Sequence, residues 1–206
     1  VSKQIKAVLL DLGNVVVLVR PEVAQKAYAS YGKFDGSGMM EYVIDSDNMN
    51  RYQEGKLNSS QFYSKTRRYF KLKISFTDFY RIWNDMFLRY PEMEEMIGNL
   101  KKKYPDIKLV LLSNTNEAHF EHIREEYPVL DLFDGYVVSH EVGRQKPHPD
   151  IYKEGLKVAG TLPKETFYTD DRADLIDAAR VMGIRAYQFV GHEEFREQLA
   201  RFDINV

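Results

Sequence analysis

The chain has 206 residues, 44% of them hydrophobic and 29% charged, with 29 basic against 31 acidic side chains and a net charge of -2. That is enough for one substantial core, and the charge balance provides no electrostatic reason to expect nucleic acid or an anionic membrane as a partner. Cysteine is absent, which excludes disulfides, thiolate metal sites and a thiol nucleophile.

In chain order, the run Lys6-Ala7-Val8-Leu9-Leu10-Asp11-Leu12-Gly13-Asn14 opens the pattern. An apolar stretch closed by a carboxylate and a Gly-Asn turn predicts a buried parallel strand over Ala7–Leu12 that delivers Asp11 to the rim of a sheet. Such rims are where open α/β sheets bind ligands. The apolar segment to Val19 is interrupted by Asp11, Gly13 and Asn14, is too short to span a bilayer and lacks a signal-peptide cleavage pattern, so a cytoplasmic protein is expected.

Nearly a hundred residues separate this strand from the next, too many for a structureless connection. Their middle reads as successive helices. Pro21–Tyr31 starts with a proline suited to a first helical turn, and a Gly-rich break from Gly32 to Gly38 follows. Met39–Arg51 comes next, then Ser59–Phe70 with Asn58-Ser59-Ser60 as caps. Thr77–Leu88 places Tyr80, Trp83 and Phe87 at helical spacing, as the core of a small bundle. Between these helices, Arg51-Tyr52-Gln53-Glu54-Gly55-Lys56 reads either as a loop facing the sheet rim, with Gly55 permitting the turn, or as a solvated interhelical turn.

Beyond residue 90 strands and helices alternate, the signature of βαβ units around a parallel sheet. Helices Met93–Lys103, Glu117–Glu126, Pro149–Val158 and Ala173–Met182 precede strands Leu109–Ser113, Gly135–Ser139, Thr166–Thr169 and Arg185–Val190. The predicted organisation is an α/β core formed by residues 1–17 and 90–206, with a helical insertion over 18–89.

The later strand ends carry reactive groups too. Ser113-Asn114-Thr115-Asn116 sets hydroxyls and backbone amides before a helix, suited to a phosphate or simply to capping. In Gly143-Arg144-Gln145-Lys146-Pro147-His148-Pro149-Asp150, the proline restricts Lys146 to extended backbone, and its ammonium can neutralise a phosphate. His148 is read as a cap or packing residue. The adjacent carboxylates Asp170 and Asp171 repel unless a cation attends them, and a hard divalent ion takes oxygen ligands of this kind. Alternatively, one of them caps the helix near Ala173. A carboxylate nucleophile, a hydroxyl, an ammonium and an acid pair along one sheet edge suit phosphoryl transfer through an aspartyl-phosphate.

Four segments, Asp11-Leu12-Gly13-Asn14-Val15, Leu112-Ser113-Asn114, Lys146-Pro147-His148-Pro149 and Asp170-Asp171, together resemble the motifs of the haloacid dehalogenase (HAD) superfamily of hydrolases. The resemblance covers essentially the whole chain, the helical insertion standing where that family's cap lies. It implies a Rossmann-like parallel sheet in the order 5-4-1-2-3 with an inserted helical-bundle cap. It further implies Asp11 as nucleophile and, with Gly13 through its carbonyl and with Asp170 and Asp171, as a Mg²⁺ ligand. It also implies a catalytic and phosphate-holding role for Lys146, with Ser113 and Asn114 holding the phosphate. Family phosphatases usually carry a second Asp two residues after the nucleophile as general acid and base; here that residue is Gly13, and Asn14 does not titrate. The wording of the motifs is similar to a bacterial branch that includes phosphatases of α-D-glucose 1-phosphate, whose anomeric leaving group has less need of an acid.

Three functions follow as expectations. One is a Mg²⁺-dependent phosphatase of a small phosphorylated metabolite such as a sugar phosphate, with neither nucleic acid nor membrane as partner. The second is a fold-conserving binding or regulatory protein whose turnover is impaired by Gly13. The third is a haloacid dehalogenase-type hydrolase, against which the retained Asp170-Asp171 pair argues.

Overall fold

A computed structural model describes residues 4–32, 38, 42 and 47–206. Its centre is a sheet of five parallel strands: β1 (Ala7–Leu10), β4 (Lys108–Ser113), β5 (Gly135–Val138), β6 (Thr166–Asp170) and β7 (Arg185–Gln188). They lie in the order β5-β4-β1-β6-β7. The labels depart from the expected order because β2 (Val17–Val19) and β3 (Phe87–Arg89) intervene in the chain without joining this sheet. Counted among the five core strands alone, the order is 3-2-1-4-5, which is 5-4-1-2-3 from the other edge.

The continuous apolar runs are explained by burial on both faces. Ala7, Val8, Leu9 and Leu10 are all 0% exposed. Because successive side chains alternate across a strand, Val8 and Leu10 join one core cluster and Ala7 and Leu9 the other. Helices α5 (Pro91–Lys103), α6 (Glu117–Glu126) and α10 (His192–Ala200) contribute Met93, Ile97, Phe120, Ile123, Phe195 and Leu199 to the first face. Helices α8 (Pro149–Ala159) and α9 (Ala173–Val181) cover the second with Ile151, Tyr152, Ile176 and Ala179. A one-turn helix, α7 (Ser139–Val142), follows β5, so Ser139 belongs to it rather than to the expected strand.

Between β2 and β3 lie α1 (Pro21–Ala29), α2 (Asp47–Gln53), α3 (Ser59–Tyr69) and α4 (Phe76–Asn84). Pro21 occupies the first turn of α1. Asn58 caps α3 in a reciprocal box: its Oδ1 accepts from the Gln61 N–H at 2.9 Å while the Gln61 side chain accepts from the Asn58 N–H at 3.1 Å. The expected helix over Met39–Arg51 overlaps α2 at its end, and most of its first half, like residues 33–37 of the Gly-rich break, lies outside the described residues.

One expectation is corrected here. The helix over Thr77–Leu88 ends at Asn84, and Phe87 and Leu88 instead form β3, antiparallel to β2 with Leu18 opposite Leu88. Both strands are three residues long and their partners lie about seventy positions apart. Neither a local periodicity nor a turn signal marks such a pair. Tyr80 and Trp83 are core residues as expected, 9% and 2% exposed. Among the described residues, no helix is long and apolar enough to cross a membrane.

Candidate active site

The carboxyl ends of β1, β4 and β6 converge at the floor of a cavity of about 390 Å³. Asp11, Gly13, Ser113, Asn114, Lys146, Asp170 and Asp171, all named from the sequence, line it together. At the centre is Lys146, 3% exposed. Its Nζ donates to Asp11 Oδ1 at 2.7 Å, to Asp170 Oδ2 at 2.6 Å and to the Leu112 carbonyl at 2.8 Å. All three ammonium hydrogens are thus engaged. The solvent-facing alternative for this lysine is excluded by that burial.

Electrostatics follow from the geometry. Burial pushes the Asp11 carboxyl up to about 6, with Asp170 adding to the rise and Lys146 opposing it. For Asp170 burial also acts upward, but the Lys146 ammonium, the Tyr168 hydroxyl and the Arg172 N–H together outweigh it and hold its pKa below the usual range. Burial works against the charge on Lys146, yet the two carboxylates more than offset it and raise its pKa. At neutral pH the three groups are therefore charged, two anions sharing one cation. Asp171 is raised mainly by burial, and the Asn14 amide, 3.2 Å from its Oδ2, opposes the rise.

Local structure explains how each group is aimed. Asn14 adopts φ 57, a left-handed conformation that asparagine tolerates. It turns the chain after Asp11, and its Oδ1 accepts from the Val19 N–H at 3.2 Å. Asp170 Oδ1 accepts from the Arg172 N–H at 3.0 Å, just ahead of α9. The Asn114 side chain is bonded to the backbone of Lys146, so what it leaves toward a phosphate is its own backbone. Ser113 is buried at the end of β4. The capping role falls to Asn116, whose Oδ1 accepts from the His119 N–H at 3.1 Å. His148 caps α8, its Nδ1 accepting from the Asp150 N–H.

Asp11, Asp170 and Asp171 each offer a carboxylate oxygen within 4.8 Å of the others. Three hard oxygen donors at that spacing fit a hard divalent cation. Position 13 has one close neighbour: a Cβ there would stand 3.1 Å from Val19 Cγ2.

The helical segment supplies a further part of the lining, with Ala24, Gln25, Met49, Asn50, Gln53 and Trp83 among its contributions. Of the stretch Arg51–Lys56, Gln53 lines it, next to Asn50, whose carbonyl accepts from Gln145 Nε2 at 3.2 Å. Sequence reasoning missed His119, Trp83 as a cavity residue, and Phe87. His119 follows the capping Asn116 by one turn, a position that spacing alone could have marked as close to the strand end.

A protein-family model described as haloacid dehalogenase-like hydrolase matches residues 5–183. D-ribitol-5-phosphate phosphatase of Bacteroides thetaiotaomicron is 25% identical over 205 residues, covering 95% of this chain and 97% of that one. Sesquiterpene phosphatase astK of Aspergillus oryzae is 25% identical over 183 residues, 87% of each. The HAD-family enzyme BT-2542 of Bacteroides thetaiotaomicron, solved in complex with magnesium and inorganic phosphate, superposes with a TM-score of 0.79 at 26% identity over 89% of this chain and 93% of that one. With residues of all four segments lining one cavity and the family model spanning most of its length, the chain belongs to the haloacid dehalogenase-like hydrolases.

Proposed function

We propose that this protein is a Mg²⁺-dependent phosphomonoesterase acting on a small phosphorylated metabolite, with a sugar or sugar-alcohol phosphate as the substrate class. The observation that carries the reading is the buried Lys146 ammonium shared by Asp11 and Asp170, with Asp171 completing a carboxylate trio. The magnesium and phosphate bound by BT-2542 and the activity named for the ribitol-phosphate relative support it. The acid trio also supports it over carbon–halogen hydrolysis.

In this reading Asp11 is the nucleophile. One of its carboxylate oxygens attacks phosphorus, the ester P–O bond breaks and the leaving oxygen departs with the electron pair, taking up a proton from water to become the alcohol. Water then attacks the phosphorus of the aspartyl-phosphate, the bond to Asp11 breaks and inorganic phosphate departs. With a pKa of about 6, Asp11 is deprotonated at neutral pH and ready to attack. Lys146 keeps its proton and offsets charge on the phosphoryl oxygens, while the Ser113 hydroxyl and the Asn114 backbone orient them. Asp11, Asp170 and Asp171, with the Gly13 carbonyl, would hold Mg²⁺, which would add positive charge beside the phosphoryl oxygens.

Residues 18–89 act as the cap on a core of 1–17 and 90–206, closing over the phosphate site and excluding water. Contacts between the two parts support this, among them Gln145 with Asn50, Ser59 Oγ with Glu117 at 2.6 Å, and Gly55 against the His140 backbone.

The test is phosphate release from hexose 1- and 6-phosphates and pentitol phosphates, with and without Mg²⁺, beside Asp11→Asn. Mg²⁺-dependent release that falls roughly 10³-fold or more in the variant is expected. Mg²⁺ binding with no release from any ester would instead favour a binding or regulatory role, with Gly13 as its mark.

A further inference from the structure

Tyr168 lies two residues before Asp170 on β6, and side chains at that spacing leave a strand on the same face. The residue is 0% exposed. Its ring meets that of Tyr152 edge-on, with centroids 5.8 Å apart, and its centroid is 5.7 Å from Lys146 Nζ. Its hydroxyl donates to Asp170 Oδ2, the same oxygen that accepts from Lys146. The phosphoryl chemistry makes no use of that hydroxyl.

Its effect follows from the lone pairs of Asp170. An ionised carboxylate offers about four of them, shared equally between its oxygens. Oδ2 accepts from the Lys146 ammonium at 2.6 Å and from the Tyr168 hydroxyl at 2.5 Å, which fills it. Oδ1 accepts from the Arg172 N–H at 3.0 Å and, among the described residues, from no other donor, so it keeps a lone pair. The two oxygens are thus unequal: Oδ2 is committed to the protein, and Oδ1 alone is left for a ligand.

The same hydroxyl limits rotation. The ammonium of a lysine is a point charge on a flexible stem and can follow a turning carboxylate. The hydroxyl of Tyr168 sits on a ring packed into the core cluster behind the sheet, and it cannot follow. Oδ2 therefore stays where it is unless a hydrogen bond to a charged group is broken inside the core.

We propose that Tyr168 is a positioning residue that confines Asp170 to ligation through one oxygen and thereby selects Mg²⁺ over Ca²⁺. Mg²⁺ is small and demands near-octahedral ligation, which one oxygen from each carboxylate suits, whereas Ca²⁺ takes roughly six to eight oxygens and gains from carboxylates that turn to present both. Tyr168 touches neither substrate nor metal. The proposal rests on the reading of Asp11, Asp170 and Asp171 as the holders of a divalent cation, and it does not depend on which ester is hydrolysed.

Calorimetric titration of the ester-free protein with MgCl₂ and with CaCl₂ tests it. Wild type should bind Mg²⁺ more tightly than Ca²⁺, an outcome that needs no variant. Tyr168→Phe keeps the ring and removes the hydroxyl; Mg²⁺ affinity should fall roughly tenfold, a usual consequence of losing an outer partner of a metal ligand. Ca²⁺ affinity should fall by less than about twofold or rise, because the freed lone pair on Oδ2 serves the larger ion. Tyr152→Phe removes a hydroxyl that donates to the Leu175 carbonyl in the same core, and it should leave the ratio of the two dissociation constants unchanged. Equal losses of both ions in Tyr168→Phe, a like shift of the ratio in Tyr152→Phe, or a wild type that prefers Ca²⁺ overturns the proposal even if phosphate esters are hydrolysed. A shifted ratio in a protein that releases phosphate from no ester leaves the role of Tyr168 standing and overturns the phosphatase reading instead.

Discussion

Asn114 and Lys146 hold each other through two hydrogen bonds that close a ring: Asn114 Oδ1 accepts the Lys146 N–H at 2.7 Å, and Asn114 Nδ2 donates to the Lys146 carbonyl at 2.9 Å. The residue after β4 thereby fixes the backbone from which the ammonium reaches Asp11 and Asp170. Asn114→Ala should lower kcat by roughly 10–100-fold, the scale of a misplacement of about an ångström. Mg²⁺ affinity, measured by calorimetry, should stay within a few-fold, because the carboxylates are untouched. An unchanged kcat would show that Lys146 is positioned without the clamp.

Lys146→Met removes the cation between two buried carboxylates. Breaking a buried pair on one side typically costs about 3–5 kcal/mol, since the remaining charge is left uncompensated. Urea unfolding in a chelator should show a loss of that order, and added Mg²⁺ should restore more stability to the variant than to the wild type. Equal Mg²⁺ effects on both proteins would argue against a shared electrostatic site.

Restoring an acid at position 13 meets one contact. Gly13→Asp sets a Cβ 3.1 Å from Val19 Cγ2, so the variant should be less stable than the wild type and no faster on alkyl phosphates. Gly13→Asp with Val19→Ala relieves the contact and should accelerate alkyl esters roughly 10²-fold or more, the usual contribution of general acid catalysis. Anomeric esters, with their better leaving group, should gain less. Steady-state rates on the two ester types decide it.

Gly55 has φ +66, and a Cβ there would fall 2.2 Å from the His140 carbonyl oxygen. Gly55→Ala therefore forces the α2–α3 turn away from the core, at a cost above about 1 kcal/mol. KM should rise while the phosphate site is left intact, because Asn50 and Gln53, one turn back, lose their place in the cavity wall. Thermal denaturation and KM together check this.

His119 makes folding pH-dependent. Its pKa is about 3 when folded against 6.5 for the free side chain, so between those values the unfolded chain binds a proton that the folded one does not. Its contribution is complete above pH 6.5 and is lost as pH falls towards 3. Asp11, raised to about 6 mainly by burial, works in the opposite sense over part of that range. The comparison that isolates His119 is wild type against His119→Phe. The stability difference should move against the wild type on acidification, by at most about 1.4 kcal/mol per pH unit. A difference independent of pH would mean the imidazole stays accessible to protons.

The strand-end residues were legible because β1, β4 and β6 are buried on both faces. The apolar runs of β1 and β4 stand out and end abruptly in polar residues, Asp11 and Ser113, while β6, Thr-Phe-Tyr-Thr-Asp, is marked by the acid pair at its end. Lys146 was legible as a residue, but its setting was not; a lysine before proline reads equally well as solvent-facing until two carboxylates are seen around it. The β2–β3 pair was hidden by its length and the separation of its partners, and Leu88, spaced as if helical, sits in a strand.

What the sequence by itself determined is the chemistry of the rim: which acids, which ammonium, and that position 13 carries no titrating side chain. The tertiary structure decided everything that depends on approach between distant segments. It set Val19 against Gly13, turned Asn114 to Lys146 rather than to a ligand, and stacked Trp83 of α4 on His119 of α6. Local patterns report which face of an element is buried, because burial is periodic along a helix or strand. They carry no record of which partner lies opposite, since that is settled by packing between residues tens of positions apart.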